Sequence, residues 1–171
     1  MKICILSDSH DHIPLMVAGA EQAKAQGAEA ILHCGDIVAP STLNKLQPLG
    51  LPVHAIHGNN TGDLYGLSRL SHDSENIIHY YGQDATIRLD GKRFFLVHYP
   101  HYAKAMAITG DYDVVCCGHS HNTLIESYEN IKGFVTVLVN PGTVGGVGNK
   151  PVSYILADLT TMQFTVHTVK Q

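Results

Sequence analysis

Residues 2–14 read "KICILSDSHDHIP". The run Ile3-Cys4-Ile5-Leu6 is short, unbroken and apolar, which predicts a strand over residues 2–7 buried on both faces. It drops at once into two carboxylates and two imidazoles: Asp8, His10, Asp11 and His12. Residues 13–26 then read as a helix, with Pro14 in its first turn and Gly27 as its stop. The unit recurs. "EAILHC" (29–34) is a second buried strand, Pro40 and Ser41 open a helix near 40–47, and "PVHAI" (52–56) is a third strand. Strands alternating with helices predict a parallel, helix-flanked sheet.

The second half has a different texture. "DATIRL" (84–89) and "KRFFLVHY" (92–99) are joined by Asp90-Gly91, a strong hairpin signal. A short helix is expected around 101–109. "DVVCCG", "TLIESYE", "FVTVLVN", "VSYILADL" and "QFTVHTV" come next, all strand-like, with Asn130 at a further hairpin turn. This half is expected to build its own mostly antiparallel or mixed sheet. Two sheets with helices outside give a four-layer α-β-β-α sandwich, a single domain over 1–171 without repeat, low-complexity tract or linker.

At 171 residues the chain is long enough to bury a core without disulfide staples. Its net charge of −4 argues against a general nucleic-acid binder, which needs a basic surface to displace counterions. Histidine is abundant, with 12 copies against 11 Lys plus Arg. It is the commonest metal ligand. Cys4, Cys34, Cys116 and Cys117 form no C-x-x-C pair and lie in or beside apolar runs, so they read as buried thiols of a reducing compartment. The first apolar run is too short for a signal peptide, and no membrane-length run exists. The expected location is cytoplasmic.

The chemistry sits where strands end. After the first strand come Asp8 and His10, and after the second Gly35-Asp36. After the third come His57-Gly58-Asn59-Asn60, and after "FFLV" comes His98. "DVVCC" is followed by Gly118-His119-Ser120-His121, and "VTVLV" by Asn140-Pro141-Gly142-Thr143. In α/β sheets, ligands bind at the carboxyl ends of strands. Side chains two apart on an extended segment face the same way, which predicts that Asp8 pairs with His10 and His119 with His121.

In order, "SDSH", "CGD", "HGNN", "LVH", "GHSH" and "NPGT" resemble the calcineurin-like metallophosphoesterase superfamily. The resemblance runs over nearly the whole chain. In length the chain is most similar to the small bacterial and archaeal phosphodiesterase branch, which also includes a scaffold subunit of the retromer complex. The resemblance implies two mixed sheets packed face to face with helices outside. It also implies a two-metal site: Asp8, His10 and His121 on one metal, Asn59, His98 and His119 on the other, Asp36 bridging. Imidazole, carboxylate and amide oxygen without thiolate suit a divalent transition metal such as Mn²⁺, Fe²⁺, Ni²⁺ or Zn²⁺, and the resemblance puts Mn²⁺ first. A hydroxide shared by the two metals would attack phosphorus in line with the leaving alkoxide.

Two departures from the family pattern concern catalysis. Asn60 stands where the family often has His, or Cys-Asp in the small branch. Asparagine is no general acid, which leaves Asp63, His57 or His101 to protonate the leaving group. After His98 comes Tyr99-Pro100-His101 in place of a glycine and another polar residue. Asn60, His98 and His101 are thus the candidate catalytic residues beside the ligands. The expected activity is a metal-dependent phosphodiesterase acting on a small phosphate ester. The alternatives are a non-catalytic interaction scaffold on the same fold, or a nuclease. A homo-oligomer is compatible with the family, and no membrane partner is expected. His33 and His54 read as structural, His72, His79 and His167 as surface residues.

Overall fold

The computed structural model describes residues 1–75 and 77–170. The first strand, β1, covers Lys2–Leu6, and the expected helix comes next as α1, Ile13–Ala25. Met16, Gly19, Ala20 and Ala23 are its buried residues, spaced three and four apart, so one face of small side chains lies on the sheet. His12 caps it, its Nδ1 accepting from the Leu15 N–H at 3.4 Å. Gly27, at φ +95°, turns the chain out of the helix in a conformation that favours glycine.

β2 (Ala28–His33), α2 (Pro40–Asn44) and β3 (Val53–Ala55) complete the alternating half. The helix expected over 40–47 is shorter: α2 ends at Asn44 and a 3-10 turn covers Gln47–Leu49. Pro48 lacks an N–H and disfavours helical backbone at the residue before it. Two elements have no expected counterpart, α3 (Leu64–Asp73) and β4 (Ile78–Tyr80). α3 does carry an apolar repeat, Leu64, Leu67 and Leu70, of which Leu67 is buried and Leu70 packs against the core, whereas β4 is only three residues long.

The hairpin at Asp90-Gly91 joins β5 (Asp84–Leu89) to β6 (Lys92–Val97). Both turn residues have positive φ, 49° and 77°, as a two-residue hairpin requires. The remaining elements are α4 (Pro100–Ile108), β7 (Val114–Cys116), β8 (Thr123–Glu129), β9 (Val135–Pro141), β10 (Ser153–Asp158) and β11 (Gln163–Thr168).

The second half does not keep its strands to itself. The sheets run β11-β10-β1-β2-β3-β4 and β5-β6-β7-β9-β8. β10 returns to lie antiparallel to β1, with Ile3 opposite Ala157 and Ile5 opposite Ile155. A strand buried on both faces cannot leave one row of N–H and C=O groups unpaired. β10, apolar on both faces, fills that edge.

Alternation along the strands sorts side chains into layers. Ile3, Ile5, Leu32 and Ile56 meet Phe94, Leu96, Val114, Cys116 and Val139 between the sheets. Cys4, Leu6, Ile31 and Val53 pack outward under Met16, Ala20 and Leu43. Val97, Val115, Cys117 and Leu138 pack outward under Ala103 and Ala107 of α4. The result is the expected four-layer sandwich. All four cysteines are free and buried, and burial pushes the Cys117 thiol up to about 12. No helix among the described residues is long and apolar enough to cross a membrane.

β1, β2 and β3 run parallel, as do β6, β7 and β9. Their carboxyl ends therefore bring the polar segments of both sheets to one rim.

Candidate metal centre

At that rim the loops are stitched to one another by backbone bonds. Asp8 N–H donates to Gly35 O at 3.0 Å, His10 N–H to Asp36 O at 2.9 Å, and Gly118 N–H to His98 O at 3.0 Å. The side chains converge accordingly. His121 Nε2 lies 3.2 Å from Asp8 Oδ1. His10 Nε2 lies 3.4 Å from Asp36 Oδ2, and His98 Nε2 lies 3.3 Å from Asp36 Oδ1. Asn59 Oδ1 is 3.1 Å from His98 Nε2 and 2.8 Å from His119 Nδ1. All seven expected ligands thus meet at one place. Asp8, His10 and His121 form one group that could hold a cation, and Asp8, Asp36 and His98 form another.

The route to this convergence differs from the expected one. Asp8 and His10 do not sit on extended backbone. Asp8, His10, Asp36, His119 and His121 have φ of 54°, 43°, 55°, 67° and 55°. Left-handed backbone costs a non-glycine residue roughly 1–2 kcal/mol. Such strain persists where the surroundings over-determine it, and it clusters at functional sites. Here the surroundings are visible. Asp8 O accepts from Thr143 Oγ1 at 2.8 Å and from the Gly145 N–H at 3.1 Å. Asn140 Nδ2 donates to Gly118 O at 2.7 Å and to Ser120 Oγ at 3.1 Å, clamping the loop that carries both histidines.

Among the described residues, four buried side-chain atoms lack a hydrogen-bond partner: Ser7 Oγ, Asp8 Oδ1, His10 Nε2 and His33 Nδ1. Two of them, Asp8 Oδ1 and His10 Nε2, face into the cluster. A buried carboxylate oxygen left unpaired is costly. Its orphaned state fits a cation, and so does the purely oxygen and nitrogen donor set.

The electrostatics point the same way. Burial opposes charge on Asp36, yet bonds from His98 and Asn60 outweigh it and hold the carboxyl far below its usual range. Asp8, chiefly, raises His10. Burial lowers His98, but Asp36 and Asp8 carry it above its usual value. The carboxylates draw positive charge into this spot, which a dication would supply while displacing protons. His98 is pre-set for that role. Its Nδ1–H donates to Cys34 O at 2.8 Å, which leaves Nε2 as the free nitrogen of the neutral ring.

The candidate catalytic residues fall differently. Asn60 does not reach outward: its N–H donates to Asp36 Oδ1 at 2.9 Å and its Nδ2 to Asp36 Oδ2 at 2.7 Å. His101 stands outside the cluster, its ring 5.8 Å from Tyr99 and 4.3 Å from Tyr102. Tyr99 itself lies edge-on, 5.4 Å from His98 and 5.1 Å from His119. Asp63 is committed to capping α3, accepting from the Gly66 N–H at 2.7 Å. His57 pairs with the Tyr80 hydroxyl, and burial lowers its pKa. Asp11 and His12 serve helices rather than the cluster. Asp11 accepts from the Ala39 N–H at 3.0 Å at the start of α2, a role with no motif to announce it.

His33 lies directly beneath, bonded through Nε2 to Ser9 Oγ at 3.1 Å. Burial lowers its pKa to about 4, so the fold holds it neutral. The unfolded chain protonates the same ring near 6.5. Stability is therefore full above pH 6.5 and falls as pH drops toward 4, by about 3 kcal/mol at the limit. His10 and His98, raised, act oppositely in the metal-free protein. Denaturant midpoints of metal-free wild type and His33→Gln across this range isolate the contribution. The variant should show the shallower acid loss, and equal slopes would mean that His33 contributes nothing to it.

Both the sequence and the fold have relatives. The family model described as the calcineurin-like phosphoesterase superfamily domain matches residues 1–162. The phosphodiesterase MJ0936 of Methanocaldococcus jannaschii is 33% identical over 150 residues, 85% of this chain and 86% of the relative. A solved structure described as a novel archaeal phosphodiesterase superposes with TM-score 0.88 at 27% identity, covering 98% of this chain and 99% of its own. Vps29 of Entamoeba histolytica shares the fold, with TM-score 0.68, 17% identity, and coverage of 97% and 90%.

Proposed function

Because the chain belongs to the calcineurin-like phosphoesterase superfamily, we propose that it is a phosphodiesterase working through two divalent metal ions. Asp8, His10 and His121 would hold one, Asn59, His98 and His119 the other, and Asp36 both. The observation that carries this reading is the buried, unpartnered Asp8 Oδ1 and His10 Nε2 at the meeting point of seven competent donors. When bound, the metals supply a hydroxide nucleophile near neutral pH and positive charge for the phosphoryl oxygens. Manganese, iron, nickel and zinc all suit this mixed donor set, and manganese is the metal to test first.

The chain's own residues do the positioning. Asn60 fixes both oxygens of Asp36, Cys34 O fixes the His98 tautomer, and Thr143 and Gly145 fix Asp8. Tyr99 walls the cluster on the His98 and His119 side. Arginine plays no part there: Arg69 pairs with Asp73 on α3, Arg93 lies over Tyr112, and Arg88 is exposed on the β5–β6 hairpin. A dianionic monoester would want such a clamp, and a singly charged diester does not.

Bis(p-nitrophenyl) phosphate is the test substrate. Nitrophenolate leaves without protonation, so the missing general acid does not confuse the result. Hydrolysis should require added Mn²⁺, vanish with a chelator and return on re-addition. Metal uptake without turnover of this or other activated diesters would favour the scaffold reading instead.

A further inference from the structure

On the His121 side of the cluster a cleft of about 450 Å³ opens. Its walls are His121, Asn122 and Thr123, then Lys150 and Pro151, and Val166 of β11. A volume of this order accommodates a sugar or nucleoside rather than a lone phosphate. Lys150 is the one Lys or Arg lining it, in a chain of net charge −4. Its Nζ donates to Asn122 Oδ1 at 3.0 Å. Among the described residues, no carboxylate lies within 4.0 Å of it.

Lys150 is tied to the cluster from two directions. Asn122 directly follows His121. The segment leading to Lys150 is rooted on the loop that carries Asp8: Val144 N–H donates to Ser7 O at 2.9 Å and Gly145 N–H to Asp8 O at 3.1 Å. Gly146, Gly148 and Asn149 then take φ of 68°, 69° and 57°, turning the chain back to set Lys150 at the cleft. An ammonium held by a neutral amide keeps its charge for a ligand. Thr123 and Thr168 add hydroxyls to the wall, and Val166 and Pro151 add an apolar floor.

Resting on the phosphodiesterase reading, we propose that this cleft receives one ester arm of the substrate. Lys150 recognises a second anionic group on that arm. The substrate class is a diester of a sugar- or nucleoside-sized alcohol that carries a further anion. The centre hydrolyses the singly charged diester, and the cleft selects among diesters by what the arm bears.

The test uses two substrates that differ in that group alone: the p-nitrophenyl diester of thymidine monophosphate, with its free sugar hydroxyl either phosphorylated or not. With Mn²⁺ present, wild type should favour the phosphorylated ester by about tenfold in kcat/KM, the scale of one charge-assisted bond. An acidic protein without a local cation would disfavour it. In Lys150→Gln the ratio should fall to one or below, and Lys150→Arg should keep it. Raising the salt should shrink the wild-type ratio. A wild-type ratio of one or less, or a ratio that survives Lys150→Gln, overturns the subsite and leaves the phosphodiesterase reading standing. Hydrolysis of neither ester, nor of bis(p-nitrophenyl) phosphate, removes that reading and the subsite with it.

Discussion

Asp36→Asn is expected to lower Mn²⁺-dependent hydrolysis of bis(p-nitrophenyl) phosphate by about a thousandfold, the scale on which removing one preorganised electrostatic group acts. The carboxylate faces His10 at 3.4 Å through one oxygen and His98 at 3.3 Å through the other, so it touches a proposed ligand of each metal. Asparagine keeps the shape and loses the charge. It also places an NH₂ where a carboxylate oxygen accepts from Asn60, at 2.9 Å or 2.7 Å, so one of those bonds becomes donor against donor. Metal analysis of the purified variant should find clearly fewer than two equivalents per chain. Circular dichroism should be unchanged, because Asp36 lies past the end of β2 and the substitution leaves every apolar residue of the inter-sheet core in place. His121→Ala is the milder companion. Its ring meets Asp8 at 3.2 Å and not Asp36, so chiefly one equivalent should be lost. Two full equivalents and a rate within tenfold of wild type in Asp36→Asn would end the bridging role.

Much of this was legible in the chain because strands buried on both faces announce themselves as short apolar runs, and the residues just past each run are polar for a reason. Asp8, Asp36, Asn59, His98, His119 and Asn140 all stand in such places. The layering was legible too: Cys116 faces the inter-sheet core and its neighbour Cys117 the α4 layer, as alternation requires. Other features depend on contacts between distant segments, which no local pattern encodes. β10 leaves its own half to pair with β1 because an edge needs cover. The positive φ at Asp8, His10, Asp36, His119 and His121 belongs to residues that do not advertise it as glycine does. Asn60 read as a candidate catalytic residue unable to serve as a general acid, and no local pattern announces its two bonds to Asp36. His101 read as a replacement polar group, and its ring lies against those of Tyr99 and Tyr102. Lys150 lies 29 residues beyond His121, and only the turns after Gly145 bring it to the cleft beside the centre.

Gly58→Ala removes no ligand and adds one methyl group, yet activity should fall by about a hundredfold, the cost of displacing catalytic groups by about 1 Å. A Cβ at Gly58 would collide with Asp36 Oδ1 and would lie 2.7 Å from both Cδ2 and Nε2 of His98. Neither neighbour can yield freely. Asp36 is held by Asn60 through two bonds, and His98 by Cys34 O at 2.8 Å. Both are buried. The displacement must therefore pass into the cluster. Overpacking should also cost about 1–3 kcal/mol in stability. Gly91→Ala separates the two effects. Nothing lies within 4 Å of a Cβ there, but φ is +77°, so the variant pays backbone strain of about 1 kcal/mol at the tip of the β5–β6 hairpin, the end of β6 opposite His98. Assayed where both variants are folded, Gly91→Ala should retain full rate and two metal equivalents, and Gly58→Ala should lose rate and bind metal more weakly. If Gly58→Ala turned over diester within threefold of wild type, Asp36 and His98 could not be packed against that backbone. The cluster would then be looser than the one that gives Asp8 its unpaired oxygen.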